Sequence, residues 1–144
     1  MKEELPLERT LFIVKPDAVE RNLIGKILAH VEDRGFRIVE ARLGPIAREE
    51  AERFYAEHRG KPFFLDLLDY MTSGPVMLTC LEREGAVRGL REVVGATDPK
   101  EAAPGTVRQL FGLSKQMNSV HASDSPASAS REVELFFGAQ ALAR

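Results

Sequence analysis

A short apolar run near the start of the chain ends at a proline. Residues 10–15 are rich in β-branched and aromatic side chains, and Pro16 follows them directly. Such a run predicts a short buried β-strand, and the proline predicts that a loop begins where the strand ends. Lys15, the last residue of the run, is therefore expected at the end of a strand.

Further elements follow from the spacing of apolar residues along the rest of the sequence. Apolar side chains recur with helical spacing over residues 24–31, and Gly35 stands where a helix-ending glycine would. By the same criteria, helices are predicted over residues 48–57, 62–72, 87–94 and 126–137, and strands over residues 36–43 and 75–81.

Residues 96–120 show neither a helical nor a strand pattern. Loops longer than about 12–15 residues inside compact domains are mostly functional or disordered. Apolar side chains at Leu110, Phe111 and Leu113 could anchor this segment, which favours a functional loop. A fourth short strand near residues 119–121 would complete a mixed sheet, although the pattern alone does not predict it.

The composition is that of one globular domain. The chain has 144 residues, of which 44% are apolar and 29% charged, and these values are far from those of disordered sequences. A chain of this length can bury a core without disulfides or metal ions. We therefore predict a single domain over residues 1–144, in which residues 1–8 form a flexible N-terminal extension.

The net charge disfavours nucleic acid as a partner. With a formal charge of −2 and a pI near 6.0, the chain lacks the basic character that is typical of DNA- and RNA-binding proteins. A few Lys and Arg side chains that converge in one cleft could still hold small anions such as phosphates.

The cysteine content and the lack of long apolar runs bear on where the protein is located in the cell. The single cysteine, Cys80, lies in an apolar run and is predicted to be a buried core thiol. The N-terminus lacks the apolar stretch of a secretory signal, and no apolar run approaches the roughly 20 residues that span a bilayer. We therefore expect a cytoplasmic protein without a membrane partner.

Residue types that bind anions concentrate in four segments at the ends of elements or in loops, where functional groups are usually displayed. The last of these segments places His121 just before a predicted helix N-terminus, whose N–H groups and dipole favour negative charge and disfavour an imidazolium. A neutral imidazole can attack phosphorus, and Glu132 on that helix is a candidate to accept the other ring N–H. A lone loop histidine is more often a solvated polar residue, so these observations alone leave the role of His121 open.

Six blocks of this sequence resemble the nucleoside diphosphate kinase family in order and spacing. They are residues 8–19 (ERTLFIVKPDAV), 61–64 (KPFF), 71–75 (MTSGP), 95–99 (GATDP), 104–108 (PGTVR) and 118–125 (NSVHASDS). The similarity extends from about residue 8 to residue 137. A single tripeptide among these blocks would be weak, whereas six blocks in one register are specific.

The resemblance implies a role for each residue that matches a family position. His121 matches the histidine that is phosphorylated on its pros nitrogen, and Glu132 matches the partner that orients it. Lys15 and Asn118 match groups that contact the ribose hydroxyls and the phosphates, and Tyr55 matches a residue near the transferred phosphoryl.

The other matches implied by the resemblance are nucleotide-binding residues. Arg91, Thr97 and Arg108 match phosphate ligands, and guanidinium groups can stabilise the charge spread over phosphoryl oxygens. Phe63 matches the aromatic residue that stacks on the base. Stacking tolerates any base because every base has a π-face, so low base specificity is expected.

The resemblance also implies a fold and a reaction. The fold is the α+β, ferredoxin-like βαββαβ plan, a four-stranded antiparallel sheet flanked by helices. The reaction transfers the γ-phosphate of a nucleoside triphosphate to a nucleoside diphosphate by a ping-pong mechanism through a phosphohistidine. Mg²⁺ is expected as the cofactor, held mainly by the nucleotide phosphates rather than by a protein cage. A homo-oligomer, either a tetramer or a hexamer, is expected.

The chain departs from the family pattern close to these positions. Ala122 follows the histidine where the family commonly has glycine, and Met117 precedes Asn118 where it often has arginine. Gln109 and Leu110 stand where the family often has a Gly-Asp pair. These differences are expected to affect the internal salt bridges of the loop, whereas every directly catalytic position is retained.

Two other functions are compatible with the same fold class. A catalytically silent nucleotide-binding or interaction module is one, because a fold alone does not determine function. The presence of both His121 and Lys15 favours the enzyme. The other is RNA binding on the sheet, which would need exposed strand aromatics with basic flanks, and the sequence shows neither.

Three further polar residues have no catalytic expectation. His30 and His58 have no motif around them and are predicted to be solvated helix residues. Asp17 is predicted to shape the loop after Lys15 through an Asx-type turn.

Overall fold

The structure, a computed structural model, describes residues 5–143. Within these residues the strands are β1 at Leu7–Val14, β2 at Arg37–Gly44, β3 at Val76–Glu84 and β4 at Val120–Ala122. They form one sheet in the order β2-β3-β1-β4, and each neighbouring pair is antiparallel. The predicted four-stranded antiparallel sheet is therefore confirmed. The mixed sheet considered for a fourth strand is wrong, because β4 pairs with β1 in the antiparallel sense.

Helices connect these strands and cover the sheet. They are α1 at Pro16–Glu20, α2 at Ile24–Glu32, α3 at Arg48–Phe54, α4 at Phe64–Met71, α5 at Ala86–Val94, α6 at Val107–Phe111, α7 at Pro126–Phe137 and α8 at Gln140–Ala143. Their placement between the strands follows the predicted ferredoxin-like βαββαβ plan. Among the described helices, none combines the length and the apolar character needed to cross a membrane.

Three of these helices have no counterpart in the sequence prediction. Helices α1 and α6 have five residues each and α8 has four, which is too short for a periodic apolar pattern to be recognised. Helix α6 lies inside residues 96–120, where the sequence predicts a loop. The hydroxyl of Thr106 accepts the N–H of Gln109 at 3.3 Å and caps the first turn of α6.

The N-terminal boundary is also corrected. Residues 1–4 of the predicted extension lie outside the described residues, but β1 begins at Leu7, which pairs with Glu84 on β3. The carbonyl of Pro6 accepts the N–H of Gly85 at 2.9 Å, and the Glu8 carboxylate accepts the N–H of Val87 at 3.1 Å. Hydrogen bonds to Gly85, β3 and α5 therefore hold residues 6–8 in place, so these residues are not part of a flexible extension.

Side chains of β1 alternate between two hydrophobic clusters on opposite faces of the sheet. Phe12 and Val14 pack with residues of α2 and α5, whereas Leu11 and Ile13 pack with residues of α3 and α7. All four are fully buried, so β1 offers no exposed aromatic side chain on which an RNA base could stack. Cys80 is buried in the second cluster, as predicted.

The end of β1 and the start of β4 lie side by side. The N–H of Lys15 donates to the carbonyl of Ser119 at 2.8 Å, and Val14 pairs with Val120. Ser119 adopts φ 78°, a left-handed conformation that is uncommon outside glycine. This turn brings the chain from residue 118 into β4, and it places the segments that contain Lys15 and His121 side by side.

Candidate active site

An open cleft of about 720 Å³ lies beside the end of β1 and β4, within the size range of small-molecule sites. Its lining joins residues that are far apart in sequence, from β1, the α3–α4 hairpin, residues 97–118 and β4. Seven of the predicted site residues line it, namely Lys15, Tyr55, Phe63, Thr97, Arg108, Asn118 and His121. The structure therefore brings most of the predicted residues into one cleft.

His121 is the middle residue of β4, opposite Ile13 of β1. Its side chain is 22% exposed, so one part of the ring contacts the cleft while the rest is packed against protein. The ring of Phe54 meets it edge-on, with centroids 4.7 Å apart and planes at 79°. Backbone pairing and ring packing together fix the orientation of the imidazole.

Glu132 lies behind His121 rather than in the cleft. Its Oε1 accepts the Nε2–H of His121 at 2.8 Å and the hydroxyl of Ser123 at 2.7 Å. An ionised carboxylate only accepts hydrogen bonds, so it holds the ring proton on Nε2 and leaves a lone pair on Nδ1. Arg131 adds a long contact of 3.5 Å to the second carboxylate oxygen. Lone-pair density on Nδ1 is what a nucleophilic imidazole requires.

The electrostatic environment keeps the ring of His121 neutral. Burial lowers its pKa from the usual value, and the positive charges of Lys15 and Arg108 lower it further, whereas the bond to Glu132 raises it. The sequence predicts the same direction, on the ground of the dipole of the helix that follows His121. Burial is instead the largest cause, because the ring lies against Phe54 and the strand.

Lys15 connects two walls of the cleft through Asn118. Its Nζ donates to Oδ1 of Asn118 at 2.9 Å, and the amide nitrogen of Asn118 donates to the carbonyl of Thr97 at 3.0 Å. Burial lowers the pKa of Lys15 to about 8, with a further contribution from Arg108 and an opposing one from Asp17. Lys15 is therefore a cation at neutral pH, but a far less stable one than an ordinary lysine.

Arg108 is the second cation of the cleft. Its guanidinium donates to the carbonyls of Gly95 at 3.1 Å and Val120 at 3.0 Å. Burial, followed by the charge of Arg91, lowers the pKa of Arg108 to about 10, which leaves it positively charged at neutral pH. Two backbone carbonyls thus hold a cation close to His121, whose own pKa it lowers.

Arg91 is the predicted phosphate ligand that does not line this cleft. It lies in a neighbouring depression together with Asp124, Ser125 and Arg88. Its charge acts on both Arg108 and Asp124, so it borders the site without facing the same space. Its role as a phosphate ligand stays a prediction.

Aromatic rings form the other end of the cleft. Phe63 is 45% exposed, although apolar side chains are usually buried. The ring of His58 lies between those of Phe63 and Tyr55, with centroids 5.3 Å and 6.1 Å away. Burial raises the pKa of Tyr55, so its phenol stays protonated.

His58 is a residue that the sequence analysis misses. The prediction of a solvated histidine is wrong, because its ring lines the cleft and packs against two aromatic rings. Ser123 is missed as well, although a signal exists: alternate residues of a strand share a face, and Ser123 lies two positions beyond His121. His30 is also not simply solvated, since its Nε2 lies 2.9 Å from the carbonyl of Gly105.

The residues that depart from the family pattern have local partners. Ala122 is buried in β4 and pairs with Phe12. The side chain of Gln109 accepts the N–H of Gly105 at 3.1 Å, and the carbonyl of Met117 accepts the N–H of Leu113 at 2.7 Å. The side chain of Leu110 is half exposed. Hydrogen bonds thus hold residues 105–117 in place at Gln109 and Met117.

Carboxylates are scarce around the cleft. Among the described residues that line it, Asp66 is the single acidic side chain. Across residues 5–143, no group of three or more His, Cys, Asp or Glu side chains is placed to hold a metal ion. The described cleft therefore offers cations for phosphates rather than a set of carboxylates for a metal.

Proteins of known name are similar to this chain in sequence. A nucleoside diphosphate kinase from Halorhodospira halophila is 55% identical over 135 residues, which cover 94% of this chain and 96% of that protein. One from Pelotomaculum thermopropionicum is 52% identical over 136 residues, covering 94% and 91%.

Solved structures of similar proteins have the same fold as this chain. The nucleoside diphosphate kinase of Aquifex aeolicus superposes with a TM-score of 0.89 at 45% identity, over 92% of this chain and 96% of that one. That of Halobacterium salinarum, solved in complex with CDP, gives 0.87 at 43% identity, over 90% and 87%. The family model for nucleoside diphosphate kinase matches residues 8–142. The chain therefore belongs to the nucleoside diphosphate kinase family.

Proposed function

We propose that this chain transfers the γ-phosphate of a nucleoside triphosphate to a nucleoside diphosphate, with His121 as the transient carrier. The observation that supports this most directly is the bond from Nε2 of His121 to Glu132 at 2.8 Å, on a ring that lines the same cleft as Lys15 and Arg108. A neutral, oriented imidazole beside Lys15 and Arg108 has the properties that attack on phosphorus requires.

The transfer takes place in two half-reactions. In the first, the lone pair on Nδ1 of His121 forms a bond to the γ-phosphorus, while the bond from that phosphorus to the bridging oxygen breaks. The electron pair stays on the β-phosphate of the departing diphosphate. In the second, a terminal β-phosphate oxygen of another diphosphate attacks the same phosphorus and Nδ1 leaves. The proton on Nε2 stays shared with Glu132 throughout, so the ring is ready for the next cycle.

The cations of the cleft stabilise charge that develops during transfer. Lys15 and Arg108 line the cleft with His121, and preorganised cations near a phosphoryl group stabilise its transition state. Thr97 and Asn118 supply neutral polar groups for phosphate and ribose oxygens, and Tyr55 supplies a phenol near the transferred group. Arg91 would join them if its flexible side chain turned from the neighbouring depression towards the phosphates.

Mg²⁺ is part of this proposal and is carried by the nucleotide. The cations and the single carboxylate of the cleft fit an ion that arrives bound to phosphates better than one held by the protein. When bound, the ion would neutralise part of the charge of the phosphates. Lys15 and Arg108, which line the cleft, would hold phosphate oxygens.

Base recognition is proposed to rest on stacking. Phe63 presents nearly half of its surface at the end of the cleft, and His58 supports it from one side. Stacking is worth about 1–3 kcal/mol per base and discriminates little between bases. Low base specificity follows from this contact.

We further propose a homo-oligomer, a tetramer or a hexamer. Large apolar side chains on residues 110–117 are exposed in the single chain, with 50% of Leu110, 59% of Leu113 and 43% of Met117 accessible. Apolar side chains clustered in one surface segment are typical of protein interfaces. A cytoplasmic location stays a prediction.

A labelling experiment tests the transfer directly. The protein is incubated with γ-³²P-labelled ATP and Mg²⁺, and acid-labile, base-stable label on the chain is measured before and after CDP is added. We expect label on the wild type and on His30→Ala, which changes a histidine outside the cleft lining, and none on His121→Ala. Binding of nucleotide without any label would instead indicate a silent nucleotide-binding module. Equal labelling of His121→Ala would exclude His121 as the carrier.

A further inference from the structure

We propose that Asp17 is a positioning residue that holds two walls of the nucleotide cleft in register, one through Tyr70 and the other through Arg21. This inference rests on the proposed function only in taking the cleft to bind a nucleotide. Asp17 itself does not line the cleft, and the sequence analysis assigns it only a local turn. The structure gives its carboxylate a different set of contacts.

Both carboxylate oxygens of Asp17 accept hydrogen bonds, one from Tyr70 on α4 and one from Arg21 at the end of α1. The residue is 7% exposed, and it follows Lys15 and Pro16 at the start of α1. Oδ1 accepts the hydroxyl of Tyr70, and Oδ2 accepts the guanidinium of Arg21 at 3.1 Å. A carboxylate removed from water requires such partners, so the two contacts are coupled by one buried charge.

The first contact reaches the wall that carries the base-stacking ring. Tyr70 lies on α4, the helix that begins directly after Phe63, and both residues line the cleft with Leu67. Burial and the bond to Asp17 raise the pKa of the Tyr70 phenol, so it remains a hydrogen-bond donor at all physiological pH values. The bond therefore attaches α4 to the segment that carries Lys15.

The second contact reaches the wall that carries the ribose- and phosphate-binding groups. The same guanidinium nitrogen of Arg21 that binds Asp17 also donates to the carbonyl of Phe111 at 2.6 Å and the hydroxyl of Ser119 at 3.2 Å. Ser119 is the left-handed residue between Asn118 and β4. Arg21 therefore fixes the end of α6 and the turn that presents Asn118 to Lys15.

The contacts of Asp17 are expected to affect nucleotide binding more than phosphoryl transfer. Neither Asp17 nor Arg21 takes part in the hydrogen bonds that Glu132 makes to His121 and Ser123, so loosening the two walls is expected to leave the nucleophile oriented. A nucleotide has to contact both walls at once, at the base and at the phosphates, and its affinity depends on their spacing. Loss of the Asp17 contacts is therefore expected to weaken binding more than it slows transfer.

The test is a double-mutant cycle on nucleotide affinity. The dissociation constant of Mg·ADP is measured by titration calorimetry for wild type, Tyr70→Phe, Asp17→Asn and the double variant, together with the melting temperature and the labelling rate of each. Each single change is expected to weaken binding about fivefold, the worth of one hydrogen bond. Tyr70→Phe keeps the Asp17 charge that favours the cationic form of Lys15, so its labelling rate at saturating nucleotide is expected to stay within about twofold. Because the residues act as one unit, the double variant should bind about as weakly as the weaker single variant.

Asp69→Asn is the matched control. Asp69 lies one position before Tyr70 on α4, and its bond to Arg48 at 2.7 Å joins α3 to α4 at the exposed surface outside the cleft. We expect it to leave the dissociation constant unchanged. Unchanged affinity in Tyr70→Phe and Asp17→Asn, despite a lower melting temperature, would overturn the inference. So would a loss of affinity in Asp69→Asn as large as that in Asp17→Asn. Additive losses of affinity in the double variant would overturn it as well.

The outcomes also separate this inference from the proposed function. Additive effects would mean that Tyr70 contacts the nucleotide by itself, without Asp17. Affinity is measured without turnover, so a chain that binds Mg·ADP but takes up no label would contradict the proposed transfer and would still test the role of Asp17. Conversely, a chain that takes up label normally and shows no change in affinity would keep the transfer and exclude the positioning role.

Discussion

Glu132 and His121 are joined by a 2.8 Å hydrogen bond that involves Nε2 and leaves Nδ1 of the imidazole without a proton. The carboxylate is almost completely buried and is also bonded to Ser123. The neutral ring is therefore held in one tautomer by a charge that water barely screens. The nitrogen available for attack is determined by a residue that does not face the cleft.

Replacement of this carboxylate should slow phosphorylation of His121. In Glu132→Gln the side chain keeps its shape but loses its charge, and a charged hydrogen bond is worth about 1.5–3 kcal/mol. We expect the rate of label uptake from γ-labelled ATP to fall roughly tenfold to a hundredfold, with little change in the dissociation constant of Mg·ADP. Glu134→Gln, an exposed position on the same helix, is the control. A rate equal to that of the control would rule out the orienting role.

Nucleotide affinity should depend on pH through Lys15. Its pKa of about 8 in the free protein means that the ammonium, which binds phosphate, is lost as the pH rises through this value. The dissociation constant of Mg·ADP is expected to be flat below pH 8 and to rise by up to about tenfold per pH unit above it. Calorimetric titrations from pH 6 to pH 9.5 measure this profile. Lys15→Met should bind more weakly at low pH and show no such break, and a break retained in this variant would assign it to another group.

Loss of the Phe63 ring should weaken the binding of all nucleotides by similar factors. Phe63→Ala removes a contact worth about 1–3 kcal/mol to any base, so the Michaelis constants for ATP, GTP and CTP should rise by similar factors, between about fivefold and a hundredfold. The control is Leu65→Ala, which removes another exposed apolar side chain from the same hairpin. If only one nucleotide were affected, recognition at Phe63 would be specific for that base.

Ala122 should matter to stability more than to transfer. Its methyl group is buried in the hydrophobic cluster on one face of the sheet, and Ala122→Gly would remove that group from the core and loosen a three-residue strand. We expect the free energy of unfolding to fall by about 1–2 kcal/mol, as measured by urea denaturation, while the labelling rate stays within about twofold. A large gain in labelling rate would show instead that the methyl group hinders the approach of the phosphate.

The longer helices and strands could be predicted because the spacing of their apolar side chains indicates which face is buried. The apolar run that ends at Pro16 corresponds to β1, and the periodic segments correspond to α2, α5 and α7. Helices α1 and α6 have one turn or little more, so tertiary contacts rather than periodicity define them. The three residues of β4 likewise carry no pattern of their own, since they are defined by pairing with β1.

The candidate site was predicted by similarity to a family rather than by local pattern. The structure brings Lys15, Asn118 and His121 together from segments about a hundred residues apart. The spacing of these residues in the sequence does not predict that they are close. It also adds His58 and Asp17, whose contacts depend on the fold of the α3–α4 hairpin and of α1. The catalytic and binding roles of the individual residues stay predictions.

The shortness of β4 has a consequence for local opening of the chain. In the described sheet β4 pairs only with β1, over three residues, and His121 is the middle one. Amide protons in short outer strands exchange with solvent through small fluctuations that leave the rest of a domain folded. A nucleotide that bridges Lys15, Asn118 and His121 would suppress these fluctuations. His121 thus lies in a strand whose ordered lifetime is expected to depend on ligand binding more than on folding.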